Sequence, residues 1–391
     1  MALVQFATRI NFSTARMACR QLSSKTVTEN VKKSVFISQS TDVFTNLALE
    51  DWLYRNFDFN NHHILMVSHN DPSVVIGKHQ NPWSETNMPE LAHITNSGVQ
   101  VARRNCNGPA VYHDQGNLNM TFFTPANKSN QGHDLEMLTR ALFRNYGIEV
   151  KSMANNVMSV RHLKVSENSA KVGRTNAYHQ CTLFVNVDKV DRTLALQQTI
   201  SGIQSSGPQS EHSKIFNLCE EYPKICTAGV LRAIGWEYLR TPVNSLKDGG
   251  QDLASKQNGF QMINPTERWF PGITELRNKF SSWDWCFAKT PKFTVTKTFS
   301  VSQEFMNGSG DLRVTMVVEH GRISDITVQI PSGLSTGFSG TANAITSLKY
   351  QKFSEDAINA LQQSICGSGY GLLDDKDKFG TDCVRQVMTS M

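Results

Sequence analysis

Three β-rich runs crowd into residues 97–124: SGVQVARR (97–104), AVYHD (110–114) and LNMTFFT (118–124). Only NCNGP and QGN separate them, which is too short for the helical crossover that a parallel βαβ unit requires. Strands that cluster instead of alternating with helices point to an α+β fold. The flanking sequence agrees. SVFISQ (34–39), ILMVSH (64–69), VVIGKH (74–79), LKVS (163–166) and TLFVNV (182–187) read as further strands. VFTNLALEDWLYRNF (43–57) carries apolar residues at helical spacing behind a capping Thr41 or Asp42. LEMLTRALFRNYG (135–147) reads as a helix closed by glycine, and AGVLRAIGWEYLR (228–240) and 270–285 as two more.

Residues 200–214 and 241–259 are polar and glycine-bearing, and read as surface loops. KTPKF (289–293) reads as a hinge. Beyond it FTVTKTFSV and LRVTMVVEHGRISDITVQI alternate apolar and polar residues, with His320-Gly321 as the turn of a hairpin. SEDAINALQQSICG (354–367) reads as a helix. The organisation expected is a leader over 1–30, a main domain over 31–285 and a smaller α+β domain over 286–391.

The net charge of +5 is concentrated at the start. Arg9, Arg16, Arg20 and Lys25 occur in residues 1–25 without an acid, so the remainder carries only +1. A near-neutral body does not predict a nucleic-acid partner. The spaced arginines, the serines and threonines, and the apolar residues Leu3, Val4, Phe6, Ala7 and Ile10 are what a mitochondrial transit peptide looks like, with a disordered tail as the plainer reading. No apolar run is long enough to span a bilayer. The eight cysteines form no C-x-x-C pair, so neither a zinc site nor a disulfide framework is indicated.

The segment RRNCNGPAVYHDQGNLN (103–119) is the first place where chemistry collects. Adjacent strand residues point to opposite faces, so only one of Arg103 and Arg104 can face a site. Asn107 and Gly108 tolerate left-handed backbone, which can aim N–H groups into an anion-binding concavity. One arginine with Tyr112, His113 and Asn117 would supply the cation and neutral donors; a hairpin turn is the plain alternative. Downstream, HLKVSENSAKVGRTNAYHQCTLF (162–184) offers Lys164 and Lys171 as cations and His179 beside a strand. A lysine that polarises an acyl carbonyl and neutralises a phosphate would suit acyl transfer from a mixed anhydride, by stabilising the developing oxyanion, whereas a solvated surface lysine is the commoner case.

Taken together, these clusters resemble the lipoate–protein ligases and lipoyltransferases, whose pattern R-R-x-S-G-G-G-x-V-Y/F-H-D-x-G-N aligns on 103–117. NLALEDWLY (46–54), PSVVIGKHQNPWSE (72–85), NMTFF (119–123), AYHQCTLF (177–184), NPTERWFPGI (264–273) and the segment 285–293 agree in order, so the resemblance covers residue 34 to the end. It is strongest with the mitochondrial lipoyltransferases of animals. It implies a catalytic domain like that of biotin–protein ligase, followed by an accessory domain. It implies transfer of a lipoyl group, from lipoyl-AMP or a lipoylated carrier protein, to a lysine of E2 subunits of 2-oxoacid dehydrogenases or of the glycine-cleavage H protein. Lys164 falls on the catalytic lysine of K-[IV]-S-G-[ST]-A. Arg103, Arg104, Asn107, Gly108, Tyr112, His113, Asp114, Asn117, Asn155, Lys171 and His179 fall on substrate-binding positions. The acyl chain would lie in a tunnel lined by residues such as Val74, Ile76 and Val111. A mitochondrial monomer with no metal and no tightly bound cofactor is expected.

The departures fall on the ligand loops. Cys106-Asn107-Gly108-Pro109 replaces S-G-G-G, and Pro109 lacks a backbone donor. Glu167-Asn168-Ser169 replaces G-[ST]-A and brings a negative charge to a phosphate position. Gln180 replaces the second histidine of an H-H pair. Asn156 stands where the family has aspartate, which disfavours use of Mg²⁺ and ATP. Two readings follow: an active transferase with altered nucleotide contacts, or a catalytically impaired member that binds lipoyl domains without efficient transfer.

Overall fold

The computed structural model describes residues 31–152, 157–197, 202–211, 213–302, 310–331, 334, 339–354, 357 and 375–389. The expected leader, Asn155, Asn156 and nearly all of the helix expected over 354–367 lie outside them. The described residues open with β1 (Lys32–Ser38), α1 (Val43–Asn56), β2 (His62–Ser68), β3 (Ser73–Ile76), α2 (Pro82–Glu85), β4 (Gln100–Arg103), β5 (Val111–His113) and β6 (Asn117–Pro125). It continues through α3 (Gln131–Tyr146), β7 (Lys151–Ser152), β8 (Met158–Val160), β9 (Leu163–Lys164), β10 (Ser166–Val172), β11 (Asn176–Phe184) and α4 (Lys189–Leu196). Next come β12 (Ile203–Ser205), α5 (Leu218–Glu221), α6 (Thr227–Arg240), α7 (Gly250–Ala254), β13 (Gly259–Ile263), α8 (Ile273–Ser281) and α9 (Trp283–Cys286). Last are β14 (Phe293–Val301), β15 (Gly310–Glu319), β16 (Arg322–Gln329), α10 (Ser339–Leu348) and α11 (Asp375–Thr389).

A mixed sheet in the order β10-β11-β6-β2-β1-β13 forms the centre, with β1 parallel to β2 and β13 and the other pairs antiparallel. Side chains alternate between its faces. Leu65, Val67 and Phe122 pack on the α3–α6 side, while Ile64, Met66 and Phe123 pack on the α1–α8 side. Helix covers both faces, which explains why β2 reads as a continuous apolar run. Asp42 caps α1 by accepting from the Thr45 N–H, and α3 ends at Gly147 with φ +68°.

Two expectations are corrected, and the plain alternative of a hairpin at 103–112 is excluded. β4 and β5 both pair with β3, β4 in parallel and β5 antiparallel, in the order β4-β3-β5. The strand expected over 163–166 is two strands, of which β10 runs to Val172 as the partner of β11. Its polar sequence SENSAKV hid it because this edge strand faces a cavity instead of the core. The loop expected over 200–214 contains β12, too short to show alternation, which pairs with β14. That pairing starts a second sheet, β12-β14-β15-β16, whose apolar face packs a separate core with residues of α10 and α11. His320 and Gly321 both have positive φ, as a two-residue hairpin turn requires.

Candidate active site

Arg103 and Arg104 diverge as strand geometry demands. Arg103 is fully buried and donates to the carbonyls of Gly77, Lys78, Gln80, Trp285 and Cys286 and to the Thr290 hydroxyl. Its fork is spent on backbone and holds the β3–α2 turn against the end of α9. Arg104 faces the cavity. Its Nη1 donates to the Val75 carbonyl at 3.1 Å and Nη2 to the Pro109 carbonyl at 2.6 Å, while its buried Nε has no protein partner. The turn between them and β5 folds over this guanidinium. Gly108 sits at φ +137°, and a Cβ there would come within 2.5 Å of Arg104 Nη2 and 2.7 Å of Ser169 Cβ. Asn107 is exposed at the tip. Pro109 brings no N–H to this turn, and the next N–H, of Ala110, donates to Ser210 Oγ at 2.7 Å.

The remaining residues of the first motif divide between the cavity and the turn. His113 lines the cavity. The Asn70 amide donates to its Nδ1 at 2.9 Å, leaving the ring proton on Nε2 beside Thr182 Oγ1. Burial, reinforced by Arg104, pushes its pKa down to about 3, so the ring is neutral. Tyr112 points the other way, into the cluster with Val74, Ile76 and Phe184. Asp114 accepts from the backbone N–H groups of Gly116 and Asp188 at 2.7 and 2.8 Å, and Asn117 Oδ1 accepts from the Asp114 N–H. These two shape the turn and are not brought to the cavity.

The register of β10 on β11 settles the second cluster. Glu167 lies opposite Thr182, Ser169 opposite Gln180 and Lys171 opposite Tyr178, all on the cavity side. His179 is on the other face, where its Nδ1 lies 3.1 Å from Asp134 of α3 and its ring stacks on Phe122. The structure therefore separates His179 from the other candidates. Lys171 lies over the Tyr54 ring, 4.0 Å from Asp51, and burial lowers its pKa. Lys164 ends β9, and its Nζ lies 2.5 Å from Glu167 Oε1.

The cavity encloses about 50 Å³. Leu47, Met66, Val75, Val111 and Met120 give it an apolar wall, and Arg104, His113, Glu167, Ser169 and Gln180 a polar one. Val75, not Val74 or Ile76, faces it, because alternate residues of β3 turn away into the cluster around Leu91 and Val99. Several lining residues escaped the motif reading, Glu50 among them. Glu50, fully buried on α1, accepts from Thr121 Oγ1 at 2.9 Å and from Gln180 Nε2. Gln180 in turn accepts from Ser169 Oγ at 2.6 Å and Cys106 Sγ at 3.1 Å. Burial raises the Glu50 pKa to about 7. Its signal was an acid inside the apolar stripe LALEDWL. Asn119 Nδ2, like Arg104 Nε, is a buried donor without a protein partner at this cavity. Buried donors are normally satisfied, so these two leave the cavity able to receive acceptor oxygens.

Residues 42–235 match the family described as the lipoyl protein ligase A/B catalytic domain. The chain is 33% identical over 307 residues to the mitochondrial lipoyl amidotransferase LIPT1 of Homo sapiens, covering 78% of each protein. It is 35% identical over 297 residues to the Mus musculus protein of the same name, covering 75% of each. The crystal structure of P. falciparum LipL1 in complex with lipoate shares the fold, with a TM-score of 0.52 and 24% identity over 92% of this chain and all of that one.

Proposed function

The chain belongs to the lipoyl protein ligase A/B family and is a lipoyl-transferring acyltransferase, and from that premise we propose which donor and acceptor it joins. The donor is a lipoyl amide on a carrier protein, and the acceptor is a lysine of the lipoyl domains of E2 subunits or of H protein, in the mitochondrion. The observation that carries this reading is the Lys164–Glu167 pair at 2.5 Å, whose glutamate lines a cavity with an apolar side. An acyl-adenylate brings a phosphate anion that Glu167 repels. An amide brings none, and leaves Lys164 to polarise the carbonyl oxygen as negative charge develops on it. Both relatives above bear the name amidotransferase.

In this reading Arg104 and the Gly108 turn hold the mouth of the site and neutral His113 contributes a hydrogen bond. The acyl chain runs along Leu47, Met66 and Met120. Ligand pockets are typically about 300–1,000 Å³, so these flexible side chains must change rotamer to admit it. Residues 31–285 act as the catalytic domain, with residues 286–391 as the accessory domain.

Intact-mass spectrometry tests the proposal. An apo lipoyl domain incubated with the full chain and a lipoylated H protein should gain one lipoyl mass, and Lys164→Ala should abolish the gain while staying folded. Transfer from lipoyl-AMP alone would sink the amide donor. Binding of the lipoyl domain with no transfer from either donor would establish the impaired, binding-only alternative.

A further inference from the structure

Glu167 stands where the family pattern has glycine, and the structure gives it a specific place. The β10–β11 register turns it to the cavity side opposite Thr182, with 7% of its side chain exposed. Its Oε1 lies 2.5 Å from Lys164 Nζ, itself 14% exposed. A carboxylate present only to neutralise Lys164 could as well face solvent; this one lines the cavity.

Exchange of one amide for another makes a demand that an acyl-adenylate does not. AMP leaves readily as an anion, whereas an amide nitrogen leaves only after gaining a proton. We propose that Glu167 carries that proton from the attacking amine to the leaving one, held in place by Lys164. The inference rests on the amide donor proposed above. The acceptor amine, already neutral, attacks the lipoyl carbonyl with its lone pair, forming a C–N bond and a tetrahedral oxyanion beside Lys164. Glu167 takes a proton from the now cationic acceptor nitrogen and gives it to the donor nitrogen. The donor C–N bond then breaks, its electron pair leaves with the donor as a neutral amine, and the carbonyl re-forms. Protons and electrons balance, and no co-reactant is needed.

The charged groups facing Glu167 are Lys164 of β9, Arg192 of α4 and Arg104, with His113 and Glu50 lining the same cavity. Burial raises the Glu167 pKa and the three cations lower it. That balance brings a carboxylate nearer to the range in which it both accepts and returns a proton.

The test uses the full chain with two donors, a lipoylated H protein and lipoyl-AMP. Glu167→Gln keeps an oxygen for Lys164 but cannot carry a proton. It is expected to lower kcat with the amide donor by about 10²-fold or more, to leave KM nearly unchanged, and to abolish the rise of rate with pH on the acid side. With lipoyl-AMP, whose phosphate Glu167 repels, the same variant should gain rate instead. Equal losses with both donors, or an unchanged rate and pH profile with the amide, would overturn the proposal while leaving the transferase reading intact. Failure of the wild-type chain with the amide donor would overturn both. Glu167→Asp guards against a folding defect in the first variant. It should retain the pH dependence at reduced kcat, and a flat profile at wild-type kcat would refute the carrier role.

Discussion

Glu50 shows how a single residue ties the cavity to stability. It is fully buried on α1, and the loss of hydration outweighs its bonds from Gln180 and Thr121, so its pKa rises from 4.5 to about 7. The folded state then binds a proton more readily than the unfolded chain. Stability from this group is full below pH 4.5 and is lost as pH rises through about 7. Glu50→Gln keeps an acceptor oxygen for both donors and removes the charge. It should stabilise the protein by up to about 3 kcal/mol at pH 8 and do little near pH 4.5. Urea unfolding at those two pH values measures this, and an equal effect at both would refute the buried carboxylate. Residue types alone placed Arg104 and His113 among the candidates. They could not say that His179 faces Asp134, since that depends on which face of β11 is which, and so on register with β6 and β10.

At the scale of the element, the site is a close approach of two turns. Gly77 follows β3, and a Cβ there would collide with the Gly108 carbonyl, while Gly108 itself rests on Arg104 and Ser169. Gly77 does not need a positive φ, so alanine is allowed by the backbone and excluded only by the neighbouring turn. Gly77→Ala should therefore push the 106–109 turn off Arg104, costing about 1–3 kcal/mol of stability and at least about tenfold in kcat/KM. An unchanged transfer rate, with a melting temperature near wild type, would show that the turn does not position the site. Strands with strong apolar content, such as β2 and β6, were legible from sequence because burial and periodicity coincide in them. β10 was not, because its alternate residues face a polar cavity, and the same chemistry that makes it functional erases the pattern that reveals strands. β12 is three residues long, and its partner β14 lies about ninety residues away, a distance no local signal spans.

At the scale of the whole molecule, residues 31–391 group as one compact unit, although the second sheet has a core of its own beside those packed on the central sheet. The link is α2. Trp83 is 4% exposed and lies among Phe287, Phe293 and Phe353 of the second core, with ring centroids 5.3–5.4 Å apart. Two residues on, Glu85 accepts from the Ser210 N–H at 3.2 Å, and the Ser210 hydroxyl accepts from Gln80 and from Ala110 in the ligand turn. By this route the second core reaches the site through one short helix and one serine. The packing predicts that heat unfolds these cores in a single transition, coincident by far-UV circular dichroism and by loss of transfer activity. Trp83→Ala, which empties the centre of the second core, should cost about 3–5 kcal/mol. Below its melting temperature it should also slow transfer, because α2 no longer fixes Glu85 and Ser210. Two resolved transitions in the wild-type chain, or a Trp83→Ala variant that melts earlier yet transfers at full rate when folded, would show instead that the second core is a passenger on the catalytic one.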